Sequence, residues 1–357
     1  MGAGMPLTQI EVANVRCIEH AALEIAPRLT LIWGDNGAGK TSLLEAVFLL
    51  GRGRSFRTRN NERLIRRSQD HLRVVGSVIA PEGSPMVIGI EAGKTGTQAR
   101  VSGRPVGSLA ELSQIFAVQV VDPGVHRLLE EGGHRRRRWM DWGVFHVEPQ
   151  FVDAWLRYTR ALKQRNAALR SDPAQAGLWD PELIRYGEQI ASSRRRLLEQ
   201  LQPYWLDTVQ ALTGLPVQLG YLQGWSSERT LEESLAASRT RDELRQVTHS
   251  GPHRGDVSVR LDGRPAREIL SRGQQKLVAV AMTLAQLRLL QALSGRTPTL
   301  LLDDPAAELD AARLALFIEQ VVQLRAQLIM TSLSGETALF GSPERTFHVD
   351  RGRVQPV

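Results

Sequence analysis

Residues 34–41 read GDNGAGKT and stand between two apolar runs, LTLIWG before and TSLLEAVFLLG after. The pattern G-x-x-x-x-G-K-[ST], preceded by a strand and followed by a helix, is the setting in which a chain forms a phosphate loop. Each residue type answers a physical need. Gly34, Gly37 and Gly39 let backbone N–H groups turn toward phosphate oxygens with no Cβ in the way. A helix opening near Lys40 presents its free N–H groups and positive end to an anion. Lys40 can reach the β- and γ-phosphates, and Thr41 can offer its hydroxyl to Mg2+. The whole run of Gly34, Asp35, Asn36, Gly37, Ala38, Gly39, Lys40, Thr41 and Ser42 is therefore expected to cradle ATP. The lysine is informative in itself: Lys40, Lys94, Lys163 and Lys276 are the only lysines, and the other 41 basic residues are arginine.

A phosphate loop needs a partner strand, and TLLLDD at residues 299–304 supplies one. A near-continuous apolar strand is buried on both faces and delivers its last residues to the ligand crevice of an open α/β sheet. Asp303 is then placed to hold Mg2+, and Asp304 to orient or deprotonate the attacking water. A polar strand end capping the next helix is the competing reading, and it suits one Asp better than two.

The rest of the chain organises around these motifs. LTQIEVANV, HLRVVGSVIA, PMVIGIEA and QARVSG read as strands broken by Gly and Pro turns, and the helix after the phosphate loop is expected to stop at Gly51. From about residue 134 long helix-periodic segments take over, interrupted at Pro173 and Pro181. After residue 250 the strands DVSVRL, TLLLDD and QLIMTS return with helices between them, which implies a parallel sheet. Residues 1–125 and 250–357 are thus expected to form one discontinuous lobe, with a mainly helical lobe of residues 126–249 inserted. No run approaches the ~18 apolar residues of a membrane span. No charged start and apolar stretch of a signal peptide opens the chain, and the single cysteine, Cys17, cannot form an internal disulfide. A cytoplasmic protein is expected.

Residues 270–276, LSRGQQK, open a long apolar helix. Ser271 and Gln274 make an S-x-x-Q capping box. That leaves Gly273 unexplained, because glycine in a first helical turn weakens it by up to ~1 kcal/mol. Close approach of a second phosphate to the helix end would explain it.

Taken together, GDNGAGKT, LSRGQQK, TLLLDD followed by AAELD, and TSLS resemble the ABC-type ATPase heads of the SMC and DNA-repair group. Within that group the chain is similar to the RecF family of bacterial recombination mediators. GRGRSFR, RRRRWMDWGVFH, KQRNAALR and GPHRGD carry the likeness along nearly the whole chain. The resemblance implies an α/β, SMC-like P-loop ATPase head with an inserted helical lobe. It implies Lys40 and Thr41 as Walker A ligands, and Gln119 as the Q-loop glutamine, catalytic and a possible Mg2+ ligand. It implies Asp303 and Asp304 as Walker B and Glu308, Leu309 and Asp310 as the D-loop. Ser271, Arg272, Gly273 and Gln274 become a signature acting on the nucleotide of a second copy in an ATP-dependent homodimer. Binding at gapped DNA or single-strand/duplex junctions follows from the same likeness, as do the partners RecR and RecO and, indirectly, loading of the RecA recombinase. Position 272 is Arg where many ABC signatures have Gly, and position 304 is Asp where many have Glu, so a weak, DNA-stimulated ATPase is expected.

The net charge of +7 favours an anionic partner. Residues 52–67 hold seven arginines and one acid, and residues 135–138 are four arginines in a row. Arg52, Arg54, Arg57, Arg59, Arg135 and Arg136 are the candidate DNA contacts, while Trp139 and Trp142, at helical spacing with Phe145, read as core. Arg254 could reach a nucleotide or the partner copy. A membrane importer's ATPase subunit would want Glu at 304 and a His after QLIMTS. An SMC-like bridging protein would want sustained heptads, and a small-molecule kinase has no use for LSRGQ. None of these fits as well.

Overall fold

The computed structural model describes residues 5–58, 60–80, 82–107, 109–307, 310–335 and 340–357. The chain falls into two compact units, Met1–Val125 with Ala211–Thr213 and Lys276–Val357, and His126–Gln210 with Gly214–Gln275.

The first unit opens with β1 (Leu7–Val15), β2 (Ile18–Glu24) and β3 (Leu29–Trp33), then α1 (Lys40–Arg52). It continues through β4 (His71–Ile79), β5 (Pro85–Gly93), β6 (Gly96–Val101), β7 (Arg104–Pro105), α2 (Leu109–Ile115) and β8 (Val118–Val121). One six-stranded sheet runs β2-β1-β4-β5-β6-β7 and is antiparallel throughout. Its strands alternate buried and exposed residues, as a sheet with one wet face must; β4, for example, buries Leu72, Val74, Gly76 and Val78. Packed against both sheets of the unit is α1. Leu43, Leu44, Val47 and Leu50 share one apolar core with Leu7, Val12 and Val74 of this sheet and with Ile32, Leu301 and Ile329 of the second. The helix ends at Gly53, whose φ of 63° is left-handed, and not at Gly51. Gly51 is inside the last turn, where an added Cβ would come within 2.5 Å of the Phe116 carbonyl oxygen, so packing rather than termination selects that glycine.

The second unit carries α3 (Arg127–Glu130), α4 (Gly133–Val147), α5 (Phe151–Ser171), α6 (Asp180–Thr213), β9 (Gln218–Leu222) and α7 (Leu231–Arg245). After these come β10 (Asp256–Leu261), β11 (Arg264–Pro265) and α8 (Ala266–Ile269). The break falls where expected, with Pro173 just after α5 and Pro181 in the first turn of α6. DVSVRL does not join the parallel sheet. As β10 it pairs antiparallel with β9, Val257 opposite Tyr221, in a three-stranded sheet β11-β10-β9. Residues 250–275 consequently cluster with the helical unit, and the expected boundary at 250 moves to Gln275. Both tryptophans of RRRRWMDW are buried, Trp142 to 1% exposure.

Arginines hold this unit together from inside. Arg165, 2% exposed, pairs with Asp180 at 2.7 Å and with the buried Asp242 at 2.8 Å. Two donors converge on GPHRGD, Arg194 giving a hydrogen bond to the Pro252 carbonyl and Arg137 to that of Gly255, while its own Arg254 folds back onto the Thr248 carbonyl. His253 fixes the same loop, with Nε2 donating to the Thr248 carbonyl at 3.0 Å and Nδ1 accepting from the Tyr158 hydroxyl at 2.7 Å.

From the second unit the chain enters α9 (Arg272–Ser294), then β12 (Thr299–Leu302), α10 (Ala311–Val322), β13 (Gln327–Ser332), β14 (Arg345–Asp350) and β15 (Arg353–Pro356). The second six-stranded sheet runs β15-β14-β3-β13-β12-β8, with all neighbours parallel except the β14–β15 hairpin. Every residue of β12 is buried, the signature of a strand covered on both faces. Against the expectation that no run is apolar enough to span a membrane, α9 is long and apolar enough by composition; 72% of the apolar window is buried inside the protein, which makes it a core helix.

Burial lowers the pKa of His253 from the usual 6.5 to about 4, and Arg254 and Arg137 add to that. The folded state therefore binds this proton more weakly than the unfolded chain, and stability falls as pH drops through the window between those values. Chemical denaturation at pH 7 and pH 5 is expected to show a loss of about 2 kcal/mol from this residue. His253→Gln should be less stable at pH 7 and should lose that share of the slope.

Candidate nucleotide-binding site

Residues 34–39 link β3 to α1 and wrap over the C-terminal ends of the parallel strands. Gly34 has φ 150°, and a Cβ there would meet the Val349 carbonyl oxygen at 2.2 Å; Gly39 has φ 122°, with Cys17 Sγ 2.9 Å from where its Cβ would be. No side chain caps the first turn of α1 and no acid lies in it, so the helix's positive end is left uncompensated. An anion is the natural complement. Lys40, 7% exposed, donates to the loop's own carbonyls, Gly34 O at 2.6 Å and Asp35 O at 3.0 Å. Its ammonium is thereby held within the curl of the loop. Asp35 and Asn36 are exposed, while Ala38 and Ser42 are buried.

Beside it, the Thr41 hydroxyl donates to Asp303, 2.9 Å from Oδ1 and 3.1 Å from Oδ2. The two expected metal ligands thus meet across 262 residues of sequence. One hydroxyl and one carboxylate are a sparse donor set, and among the described residues no cluster of three or more metal-binding side chains exists. That sparseness suits Mg2+, which keeps waters and takes substrate phosphates to complete its six ligands.

Sequence reasoning gave Thr331 no role, although it saw the TSLS run that contains it. At the end of β13 and fully buried, Thr331 gives its hydroxyl to Asp303 Oδ1 at 2.9 Å and accepts from the Asp304 backbone N–H at 2.9 Å. It ties both expected Walker B residues to the neighbouring strand. Asp304 itself has φ 48°, a left-handed conformation unusual outside glycine. The parallel register Leu302↔Met330 brings Thr331 level with Asp303. That register is a tertiary fact with no local sequence signal.

Gln119 is tied to the core helix. It lies mid-strand in β8 opposite Leu300, and its buried amide nitrogen donates to Gln286 Oε1 of α9 at 2.8 Å. No hydrogen bond joins it to Thr41 or Asp303, because the core helix takes its amide. Glu308 and Leu309 lie outside the described residues; Asp310 caps α10 by accepting from the Arg313 N–H at 2.9 Å.

The LSRGQQK turn is a capping box. Gln274 N–H donates to Ser271 Oγ at 3.3 Å, and Ser271 N–H donates to Gln274 Oε1 at 2.9 Å. Both side chains act here as acceptors, which leaves the serine hydroxyl proton and the glutamine NH2 as donors to solvent. Gly273 lies in the first turn of α9 and is absent from the positive-φ glycines, so backbone conformation does not require it.

The candidate DNA arginines separate into two groups. Arg136 is 9% exposed, grips Asp256 through two hydrogen bonds of 2.9 and 2.8 Å, and donates to the carbonyls of Leu128, Leu129 and Glu131. Arg135 is paired with Glu131. Both guanidinium groups are therefore engaged by acids in this fold. Four helical residues in a row point all round α4, and these two turn toward acids. In the first run Arg57 is half-exposed and pairs at 3.6 Å with the buried Glu45, which also anchors Arg16. Arg52 lies over the Phe48 ring. Arg59 lies outside the described residues.

The family model described as RecF/RecN/SMC N terminal domain matches residues 6–351. The DNA replication and repair protein RecF of Pseudomonas paraeruginosa is 37% identical over 98% of this chain and 97% of its own length. That of Shewanella baltica is 36% identical over 98% and 99%. The chain belongs to the RecF family. Its fold is the SMC-like ABC-type ATPase head expected from the motifs. A solved structure of the recombination mediator protein RecF-ATP in the RecFOR pathway has a TM-score of 0.90 and 26% identity over 99% of this chain and 98% of that one. An SMC head bound to the C-winged helix domain of ScpA shares the fold at TM-score 0.59 and 14% identity, over 98% of this chain and 96% of that one.

Thr331→Val keeps volume and removes both polar contacts. ATP turnover is expected to fall about 10–100-fold, the usual cost of losing a residue that orients a metal ligand. Nucleotide affinity should change by far less. Thr331→Ser should restore most of the rate.

Proposed function

We propose that this RecF-family chain is an ATP-gated DNA clamp. The observation that carries the reading is the Thr41–Asp303 hydrogen bond beneath the phosphate loop, which joins the two halves of a Mg2+–nucleotide site. When bound, Mg2+ would neutralise phosphate charge there; Thr41 and Asp303 would hold it, Lys40 and the α1 N-terminus would bind the phosphates, and Asp304 would orient water. Asp is one methylene shorter than Glu, and Thr331 holds the Asp304 backbone N–H, so its carboxylate would reach less far toward the water. Slow hydrolysis follows, suited to timing release.

Two copies would close head to tail, the Ser271–Gln274 turn of each against the ATP of the other, giving two-fold symmetry. The outward donors of the capping box are the chemistry that turn would bring to a γ-phosphate. ATP would favour the closed dimer on duplex DNA, and loss of the γ-phosphate would reopen it. Arg52, Arg54 and Arg57 remain the candidate phosphate contacts. Action at gaps or single-strand/duplex junctions, with RecR and RecO and toward loading of RecA, completes the proposal, which is set in the cytoplasm.

Binding to a gapped duplex is to be measured without nucleotide, with ADP and with ATP, and dimer formation followed by light scattering in the same samples. ATP is expected to drive both together. Ser271→Arg should abolish both while still binding ATP, and Lys40→Arg should fail at the nucleotide step. DNA binding indifferent to ATP, or a Ser271→Arg protein that still dimerises, would overturn the clamp.

A further inference from the structure

The clamp reading leaves one residue of the signature turn without a task. Arg272 opens α9, at the positive end of a 23-residue helix, where a cation is electrostatically misplaced. It is exposed, and no carboxylate pairs with it among the described residues. Its guanidinium nitrogen instead lies 3.3 Å from Nε2 of His126. A guanidinium has no lone pair to give, so Nε2 is the acceptor and the ring proton sits on Nδ1.

His126 is held in place beside this bond. It is 7% exposed, and its Nδ1 is buried without a hydrogen-bond partner. Glu130 lies 3.6 Å from Nε2, beyond hydrogen-bonding distance. His126 leads into α3, whose Leu128 and Leu129 carbonyls are gripped by Arg136, itself locked to Asp256. A rigid relay of Asp256, Arg136, α3 and His126 therefore ends on one exposed arginine. Leaving a buried N–H unpaired is costly, and the fold tolerates it to steer Arg272.

We propose that His126 is a positioning residue that holds the Arg272 guanidinium outward on the signature turn, so that Arg272 meets the terminal phosphate of the nucleotide carried by a second copy of this chain. The inference rests on the clamp reading above. His126 takes one guanidinium nitrogen and leaves the other donors for phosphate oxygens, the forked geometry in which arginine binds such groups best. The same anion would offset the misplaced charge at the helix end, and the small Gly273 beside it leaves room for the approach.

The test is ATP-driven dimerisation of wild type, His126→Phe, His126→Gln, Arg272→Gln and the double variant His126→Phe/Arg272→Gln. ATP affinity of the dilute single chain and melting temperature are measured alongside. His126→Phe is expected to raise the dimer dissociation constant about tenfold, the scale of one hydrogen bond to a charged group. Single-chain ATP affinity should be unchanged. His126→Gln, whose amide oxygen can accept, should recover most of the loss, and the double variant should be no worse than Arg272→Gln alone. A His126→Phe protein that dimerises like wild type, or a histidine effect that adds in full to the arginine effect, would overturn the inference. Arg272 is exposed, so Arg272→Gln does not depend on the buried site tolerating change; normal dimerisation of that variant would sink the idea by itself. If wild type does not dimerise with ATP, or Ser271→Arg still does, the clamp reading has failed first.

Discussion

The site rests on one polar joint in an apolar core, where Thr41, Asp303 and Thr331 bring α1, β12 and β13 together. Buried polar groups must be satisfied, and each of these three satisfies another. The parallel order β3-β13-β12 makes the joint possible: it sets the strand that feeds the phosphate loop two places from the strand that leads into Asp303, with β13 and its threonine between. Apolar packing of α1 against both sheets then holds Thr41 at hydrogen-bonding distance.

What the sequence disclosed follows from how local each signal is. The phosphate loop is a contiguous pattern whose glycines are required by backbone geometry, so its position, its strand and its helix could all be read. TLLLDD was legible because a doubly covered strand has no alternation to hide it. Thr331 was not, since only the register of β13 beside β12 gives it a role. The bond made by Gln119 was hidden too, because its partner, Gln286, lies 167 residues away on a core helix. The boundary at 250 failed for a related reason. DVSVRL has the composition of any half-buried strand, and nothing in it says that β9 is its neighbour.

Arginine usage carried a second lesson. A chain with 41 arginines and a net charge of +7 invites a nucleic-acid reading at every basic run. Yet Arg136, Arg165 and Arg194 are each at most 9% exposed and spend their donors on carboxylates and on backbone carbonyls or hydroxyls within the second unit. Arg165 and Arg194 sit in segments read only as helix, while of the four consecutive arginines of α4 Arg136 alone is buried as an internal strut. A charge run reports potential only after its acids have been placed.

The central claim is that each signature turn works on the other copy's nucleotide. It can be tested with isotopically heavy Lys40→Ala chains, which lack the lysine for binding ATP, mixed with light wild-type chains and an ATP analogue photoreactive at its terminal phosphate. The account requires crosslinks in the heavy peptide that contains Ser271–Gln274, since only a nucleotide carried by a neighbouring chain can reach it. Crosslinks confined to light chains would contradict the account, because the signature would then serve its own site or none.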